Sequence, residues 1–389
     1  MRTHPALLAT SVALVAGLLT AGAAPAAAQD RPEIRQVMQE LLSQGAVGVQ
    51  VRVHDGRGDW TGSAGTTRLG GRTPVRTDAR FRAGSITKTF VATVLLQLVD
   101  EGRIGLDDPV TRHLPRFGLD RRITVRMVLQ HTSGLFSHTG EFRPDGTMDH
   151  PIPLEGRNFA ANRFRGYSPD ELVRAALTRP PRFEPGADWS YSNTNYILVG
   201  LLIEKVTGTP YATQVNRRII EPLNLRATSL PGTRALIPGP HAQGYYSYRD
   251  GAGVATENAT VLNPSWAHAA GEIISTTADL DTFLAALHGG ALLAPHLLAE
   301  MRKLVRKGNG GYGLGVAASN PAPGCEVFFG HSGGIHGYNS HLYGNADGSK
   351  RIQISINTAG GDLDSGDVVP PTTEPTAFKA IKAVFCAKS

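Results

Sequence analysis

A serine and a lysine stand three positions apart in the segment Phe81-Arg82-Ala83-Gly84-Ser85-Ile86-Thr87-Lys88. Positions three apart share a face of an α-helix, so a helical segment makes the Ser85 hydroxyl and the Lys88 amine neighbours. A serine hydroxyl is a weak nucleophile until a base removes its proton. Lys88 can be that base if burial and nearby cations lower the pKa of its amine from about 10.4. The pair indicates nucleophilic catalysis, although alone it also fits an N-cap serine and a surface lysine.

Two further motifs supply side chains that such a nucleophile needs. Tyr191-Ser192-Asn193 places a phenol and a carboxamide two positions apart, facing one way if the segment is extended. His331-Ser332-Gly333-Gly334 follows a strand-like segment and has glycines where a backbone must approach a ligand closely. The structural alternative for Tyr191-Ser192-Asn193 is a plain turn, and for His331 it is a histidine that ends a strand. The three motifs in this order are the signature of one superfamily of serine enzymes.

The elements around these motifs predict how they are brought together. Apolar residues recur at three- and four-residue steps over residues 89–99, which predicts a helix that begins near Ser85. Strands are predicted near both ends of the chain, at 46–54, 59–65, 327–329, 340–344 and 351–357. Further helices are predicted between and after them, at 123–130, 169–177, 196–206, 278–288 and 377–385, with loops over 136–166 and 231–265. This order favours a sheet built from both termini with a helical region inserted.

Residues 1–28 have the pattern of a secretory signal peptide. Arg2 and His4 precede an apolar run over 6–24, which closes in a Pro-Ala-Ala-Ala sequence before polar residues. A membrane anchor is the alternative, but the small-residue ending argues against it. No later segment approaches about 18 uninterrupted apolar residues. We therefore expect a secreted bacterial protein, extracellular or associated with the cell wall, with no membrane anchor in the mature chain.

The charge and the cysteine content of the chain indicate which partners and which covalent bonds to expect. The formal net charge of +6 comes without a block of lysine and arginine interleaved with aromatic residues, so we expect no nucleic-acid partner. The chain has two cysteines, Cys325 and Cys386. In an oxidising compartment an even pair indicates one disulfide, and two buried free thiols are the alternative.

With these motifs in this order, the sequence resembles the secreted serine D-alanyl-D-alanine carboxypeptidases, the penicillin-sensitive DD-peptidases close to class C β-lactamases. The resemblance runs over about 44–386 and includes family-like stretches at 94–102, 191–195 and 312–315. It implies a two-domain α/β fold, in which an antiparallel sheet flanked by helices meets a mainly helical domain at the active site. The sheet domain would comprise residues 29–80 and 267–389, and the helical domain residues 81–266.

The resemblance also implies a role for each motif residue. Ser85 attacks the D-Ala-D-Ala amide and is acylated, while Lys88 and Tyr191 move protons as a coupled pair. Asn193 hydrogen-bonds the substrate amide, and His331 takes the place of a lysine in many relatives. The oxyanion would lie between the backbone N–H groups of Ser85 and Gly334. The substrate pocket would be lined by residues on both sides of the nucleophile, namely Phe142, Trp266, Ser332, Gly333 and His336.

No cofactor or metal is implied, and we expect a monomer whose ligands are peptidoglycan stem peptides and β-lactams. Phe142 and Trp266 have plain core packing as their alternative. Three histidines lie five positions apart, at His331, His336 and His341. Along a strand this spacing places them on alternate faces, so it does not predict a zinc site. His131 is expected to close a helix. Asp362, Asp364 and Asp367 fit a solvated loop better than a calcium site.

Two departures from the DD-peptidases affect substrate choice. Relatives have His-Thr-Gly-Thr at the third motif, so a hydroxyl is missing at Gly334. They also carry an arginine, which binds the substrate's terminal carboxylate, shortly after Tyr-Gly-Leu-Gly, where this chain has Ala317. Losing a charge-assisted contact to the substrate costs about 1.5–3 kcal/mol of binding free energy, and it leaves the residues of the acylation step unchanged. His336 is a candidate replacement if it is protonated, below about pH 6.5.

Three functions remain open from the sequence. The leading hypothesis is a D-Ala-D-Ala carboxypeptidase that β-lactams acylate. An esterase, a β-lactamase or a D-amino-acid amidase on the same scaffold is favoured by the missing carboxylate contact. A catalytically idle penicillin-binding or wall-binding protein is the third, and the intact Ser85, Lys88, Tyr191 and Asn193 argue against it.

Overall fold

The structure is a computed structural model that describes residues 29–389 except for 143–146, 252, 308–309, 359–372 and 387–389. The predicted signal peptide therefore lies outside the described residues, as do Asp362, Asp364 and Asp367. Within the described ranges, no helix is long and apolar enough to cross a membrane.

An antiparallel sheet of eight strands receives strands from both ends of the described chain, as predicted. Its strands are β1 (Ala46–Asp55), β2 (Gly58–Gly65), β9 (Val305–Lys307), β10 (Gly310–Tyr312), β11 (Ala317–Ser319), β12 (Phe328–Ile335), β13 (Tyr338–Asn345) and β14 (Arg351–Thr358). They lie in the order β2-β1-β14-β13-β12-β11-β10-β9. Three strand pairs lie outside this sheet, formed by β3 (Phe81–Arg82) with β8 (Ile274–Ser275), β4 (Glu141–Phe142) with β5 (Met148–Asp149), and β6 (Tyr245–Asp250) with β7 (Gly253–Asn258).

One face of the sheet is covered by the first and last helices of the described chain, α1 (Pro32–Ser43) and α12 (Thr373–Phe385). Alternation along β1 places Val49, Val51 and Val53 on this face, where they are buried with the isoleucines of β14. The two cysteines are joined in a disulfide with a Cα–Cα distance of 4.2 Å, which confirms the predicted pairing. The bond ties the segment before β12 to the end of α12.

The other face of the sheet packs against α10 (Thr277–His288) and, through it, against the helical region. The remaining helices are α2 (Thr87–Asp100), α3 (Val110–His113), α4 (Val125–Gln130), α5 (Arg157–Asn162), α6 (Pro169–Leu177), α7 (Asn193–Thr207), α8 (Tyr211–Val215), which continues as a π-helical turn over Asn216–Ile220, α9 (His268–Gly271) and α11 (Pro295–Met301). The central helix α2 is buried along most of its length, and Phe90 stacks on Phe283 of α10 at 3.6 Å between ring centroids. This packing fixes α2 between the sheet and the other helices.

Two loop predictions were incomplete. Residues 231–265 contain the hairpin β6–β7, because Tyr246 and Tyr248 bury alternate positions against Phe159 while the hairpin's other face is solvated. Residues 136–166 contain α5 and the β4–β5 pair. The helix predicted from residue 123 begins at Val125, because the Thr124 hydroxyl caps it by accepting from Met127 N–H.

Candidate active site

A single turn of 3₁₀-helix, Gly84–Ile86, leads directly into α2 and carries Ser85 at its centre. Its geometry is fixed by the Thr87 hydroxyl, which donates to Gly84 C=O and accepts from Ile273 N–H. Lys88 lies one turn further on, with its Nζ 2.9 Å from Ser85 Oγ. The structure thus brings the serine and the lysine together as their spacing predicts.

The Lys88 side chain is fully buried, and this burial lowers the pKa of its amine well below the usual range. Nζ lies 2.7 Å from Asn193 Oδ1 and 2.7 Å from Ala270 C=O. A lowered pKa keeps a lysine amine uncharged, which is the form that can accept a proton from a hydroxyl. The surroundings of Lys88 therefore suit a general base.

Tyr191 borders the same cavity as Ser85, immediately before α7. The Nζ atom of Lys88 lies 4.8 Å from the centroid of the Tyr191 ring. The other side of the ring packs on His131, at 4.3 Å between centroids. His131 ends α4 in a left-handed conformation, as expected, and its Nδ1 accepts from Ser192 N–H at 3.2 Å. It therefore supports the Tyr-Ser-Asn segment as well as closing a helix.

Asn193 begins α7, and its carboxamide is held from two sides. Its oxygen faces Lys88, while its Nδ2 donates to Thr139 Oγ1 at 2.8 Å. Its backbone N–H donates to Ser137 Oγ at 3.2 Å. Sequence reasoning missed Ser137 and Thr139, because they lie in an aperiodic segment that no motif marks.

His331 lies on β12 and is buried beneath the site. Its Nε2 lies 2.9 Å from the Tyr312 hydroxyl, and its Nδ1 contacts Ser332 C=O. Burial, and secondarily the nearby Lys88, lowers the pKa of His331 to about 3. His331 is therefore neutral near pH 7, donating from Nδ1 and accepting from the Tyr312 hydroxyl, and it brings no positive charge to the site.

The turn that carries Ser85 packs directly on the third motif. A Cβ atom added at Gly84 would lie 2.8 Å from Gly334 C=O and 2.9 Å from its nitrogen, and Gly84 has a positive φ of 53°. A Cβ atom added at Gly333 would lie 2.1 Å from Ala83 C=O. Glycine at these positions allows β12 to approach the nucleophile closely. This approach brings the backbone of Gly334 against that of Gly84, the residue before Ser85.

A cavity of about 500 Å³ opens above Ser85, and it is lined by most of the predicted pocket residues. Phe142 is 48% exposed at its border, whereas Trp266 is 8% exposed. Ser332 and Gly334 line the cavity from β12. Gly333 is buried beneath the Ser85 turn instead.

His336 borders the cavity, but not as the cation that the sequence suggested. Its ring stacks on Phe159 at 4.1 Å between centroids, and its Nε2 donates to Leu154 C=O at 2.9 Å. Burial lowers the pKa of His336 to about 4. The candidate role of His336 as a replacement cation required protonation near pH 6.5, and burial of the imidazole disfavours that protonation.

An ion pair in the cavity wall is a further feature that sequence reasoning missed. Arg182 donates to the Glu141 carboxylate and to Phe142 C=O. Glu141, 8% exposed, also accepts from Ser137 N–H at 2.6 Å. Both residues line the cavity, as does Glu155, which accepts from the Tyr246 hydroxyl. No group of three or more histidine, cysteine, aspartate or glutamate side chains in the described part of the chain is placed to hold a metal ion.

Comparison with known proteins agrees with this geometry. A model of the Beta-lactamase family matches residues 33–367. A D-stereospecific amidohydrolase from Streptomyces sp. is 40% identical, with a TM-score of 0.80 over 93% of this chain and 100% of that chain. Penicillin-binding protein 4* from Bacillus subtilis (strain 168) is 28% identical over 75% of this chain and 63% of its own length.

Esterase EstB from Burkholderia gladioli is 35% identical over 39% of each chain. The chain thus spans less than two thirds of the length of these two curated relatives. The family model, by contrast, covers most of the chain, and the amidohydrolase is matched over its whole length. The chain therefore belongs to the beta-lactamase family.

Proposed function

We propose that this protein is a secreted serine hydrolase that cleaves amides and esters of D-amino acids through an acyl-enzyme on Ser85. The observation that carries the proposal is the buried Lys88 amine, held 2.9 Å from the Oγ atom of Ser85, which lines an open cavity. The similarity to a D-stereospecific amidohydrolase over nearly the whole chain supports the choice of substrate class.

The reaction proceeds in two halves. Lys88 Nζ takes the proton of Ser85 Oγ as the oxygen attacks the carbonyl, and the oxyanion is bound by the backbone N–H groups of Ser85 and Gly334. The C–N bond breaks as the leaving amine takes a proton from the Lys88–Tyr191 pair. A water molecule then attacks the ester on Ser85 in the same manner, which releases the acid and returns the proton to Ser85.

The charges of the cavity wall favour substrates without a free terminal carboxylate. Among the described residues that line it, Arg182 is the one arginine or lysine, and its guanidinium is paired with Glu141. His331 and His336 are neutral near pH 7. A carboxylate bound here would compete with Glu141 for Arg182 to obtain a charge-assisted contact of the kind that contributes about 1.5–3 kcal/mol.

The test is a comparison of kcat/KM between D- and L-phenylalanine amide, and between a D-Ala-D-Ala peptide and its C-terminal amide. We expect the D-amide to be cleaved at least tenfold faster than the L-amide, and the peptide amide to be cleaved at least as fast as the free acid. Failure to cleave the D-amide, with the free-acid peptide cleaved efficiently, would overturn the proposal.

A D-Ala-D-Ala carboxypeptidase is the second candidate, favoured by the similarity to a penicillin-binding protein. Ala317 lies on β11 opposite Gly330, next to His331 along β12, so an arginine there would enter the vicinity of the site. We expect Ala317→Arg to raise the preference for a free carboxylate, by about tenfold for each 1.4 kcal/mol gained. A strong preference already present before the substitution would favour this second function.

Export supplies the environment that the disulfide needs. Cys325 and Cys386 are bonded in the structure, and such bonds persist in oxidising compartments. We propose that residues 1–28 direct export and that the mature enzyme acts outside the cytoplasm. N-terminal sequencing of the protein from the culture medium should begin close to residue 29, whereas a full-length chain retained in the cell would contradict this location.

A further inference from the structure

We propose that Thr139, supported by Ser137, is a positioning residue that orients the Asn193 carboxamide and so directs the lone pair of Lys88 toward Ser85. The inference deepens the proposed function and rests on it only in taking Ser85 as the nucleophile. Thr139 acts through Asn193, which in turn contacts the base.

The orientation of the carboxamide follows from its hydrogen bonds. Asn193 Nδ2 donates to Thr139 Oγ1 at 2.8 Å, and the backbone N–H of Asn193 donates to Ser137 Oγ at 3.2 Å. The two hydroxyl oxygens lie 3.0 Å apart. When the Thr139 hydroxyl donates its proton to Ser137 Oγ, its oxygen can only accept from Nδ2, and the carboxamide oxygen is the atom that faces Lys88, 2.7 Å from its Nζ.

The proton count at Lys88 then assigns its lone pair. A neutral primary amine has two N–H donors and one lone pair. Asn193 Oδ1 and Ala270 C=O, each 2.7 Å from Nζ, can only accept, so they take both donors. The third neighbour is Ser85 Oγ at 2.9 Å, and the lone pair is left to accept its proton.

A reversed carboxamide would undo this arrangement. Asn193 Nδ2 would donate to the Lys88 lone pair, and one amine N–H would turn toward Ser85 Oγ. The amine would then be unable to take the serine proton without breaking a hydrogen bond. Replacing the Thr139 hydroxyl by a methyl group removes the acceptor that opposes this reversal, at little change in side-chain volume.

Burial moves the titration of three histidines near Lys88 away from neutral pH. Burial lowers the pKa of His138 to about 4 and that of His331 to about 3, and it lowers the pKa of His131 well below 6.5. The rings of Tyr191 and Tyr196 lie 4.8 and 5.6 Å from Nζ. We therefore assign the acidic limb of Ser85 reactivity to Lys88 rather than to these histidines.

The test measures the rate at which an alkyl fluorophosphonate labels Ser85 between pH 5 and 9, in the wild type and in Thr139→Val and Thr139→Ser. We expect Thr139→Val to lower the plateau rate at least tenfold and to move the acidic limb to lower pH, because an amide N–H facing Lys88 disfavours its ammonium form. Thr139→Ser keeps the hydroxyl, so it should retain the plateau rate and the acidic limb of the wild type. A lower plateau with an unmoved limb, or equal rates in all three proteins, would overturn the proposal.

A double-mutant cycle with Asn193→Asp gives an independent readout. A carboxylate presents an oxygen to Lys88 in either orientation, so Thr139→Val should cost less than threefold in the Asn193→Asp background. The same tenfold loss in both backgrounds would show that Thr139 acts by another route. Fluorophosphonate labelling does not depend on the natural substrate. A failure of D-amide cleavage would therefore count against the proposed function alone, and unchanged labelling rates against Thr139 alone.

Discussion

Lys88 meets two requirements that oppose each other. The proposed role as a base needs an uncharged amine near neutral pH, and full burial favours this form by lowering the pKa of Lys88. The unfolded chain, however, binds a proton at this lysine up to about pH 10.4. Between the folded and unfolded pKa values the unfolded state holds more protons, so the free energy of unfolding rises with pH in this window. Activity is thus obtained at a cost in stability near pH 7.

The first prediction follows from this linkage. Relative to Lys88→Met, the wild type should gain unfolding free energy from pH 7 to pH 9.5, with a slope of up to about 1.4 kcal/mol per pH unit. Urea denaturation at several pH values measures the difference, and contributions from other titrating groups cancel between the two proteins. Parallel pH profiles would mean that Lys88 is charged in the folded state.

Residue types and spacing were sufficient to predict part of the candidate site. Ser85 and Lys88 are joined by local helical geometry, which a three-residue spacing specifies. The sequence did not indicate a role for Thr139, Glu141 or Arg182, because their contacts are long-range and their segments show no hydrophobic periodicity. The lowered pKa of His336 could not be predicted for a related reason, since its burial depends on aromatic neighbours that only the tertiary fold supplies.

At the scale of elements, the proposed oxyanion site depends on the close approach of the Gly84–Ile86 turn to β12. The second prediction concerns Gly84→Ala, whose Cβ would meet the Gly334 backbone at 2.8–3.0 Å. Separating these backbones should lower kcat about 10²-fold or more, the loss typical of a removed oxyanion donor.

Gly102→Ala is the matched control. Gly102 also has a positive φ, of 66°, but a Cβ there meets no described atom within 4 Å. Backbone strain at a positive φ should lower the free energy of unfolding by about 1 kcal/mol in Gly102→Ala. Gly84→Ala should lower it further, because its Cβ also displaces the Gly334 backbone, and only Gly84→Ala should lose activity. Equal activity of the two variants in an ester hydrolysis assay would show that the contact with Gly334 is not needed.

Periodic elements were predicted well and aperiodic ones poorly. The strands at both ends and the helices α6, α7 and α10 follow from apolar spacing and caps, such as the Thr276 hydroxyl accepting from Asp279 N–H. The hairpin β6–β7 was missed, because its stability comes from Phe159 and its neighbours, far away in sequence. The order of strands in the sheet required the family resemblance or the structure, since several registers satisfy the same alternation.

At the scale of the whole molecule, the disulfide closes a loop of 61 residues between the approach to β12 and the end of α12. The third prediction is that Cys325→Ser with Cys386→Ser lowers the free energy of unfolding by about 4 kcal/mol, mainly because the unfolded chain is no longer constrained. The bond lies beyond the cavity-lining residues, so activity at low temperature should persist. Urea denaturation tests the first effect, and an unchanged midpoint would contradict it.

The most direct test of the account is intact-mass spectrometry of the protein quenched during turnover of D-phenylalanine methyl ester, with peptide mapping. We predict one D-phenylalanyl adduct on the peptide that contains Ser85, absent in Ser85→Ala and formed orders of magnitude more slowly in Lys88→Met. An adduct on another residue, or one that persists in Ser85→Ala, would contradict the assignment of Ser85 as the nucleophile.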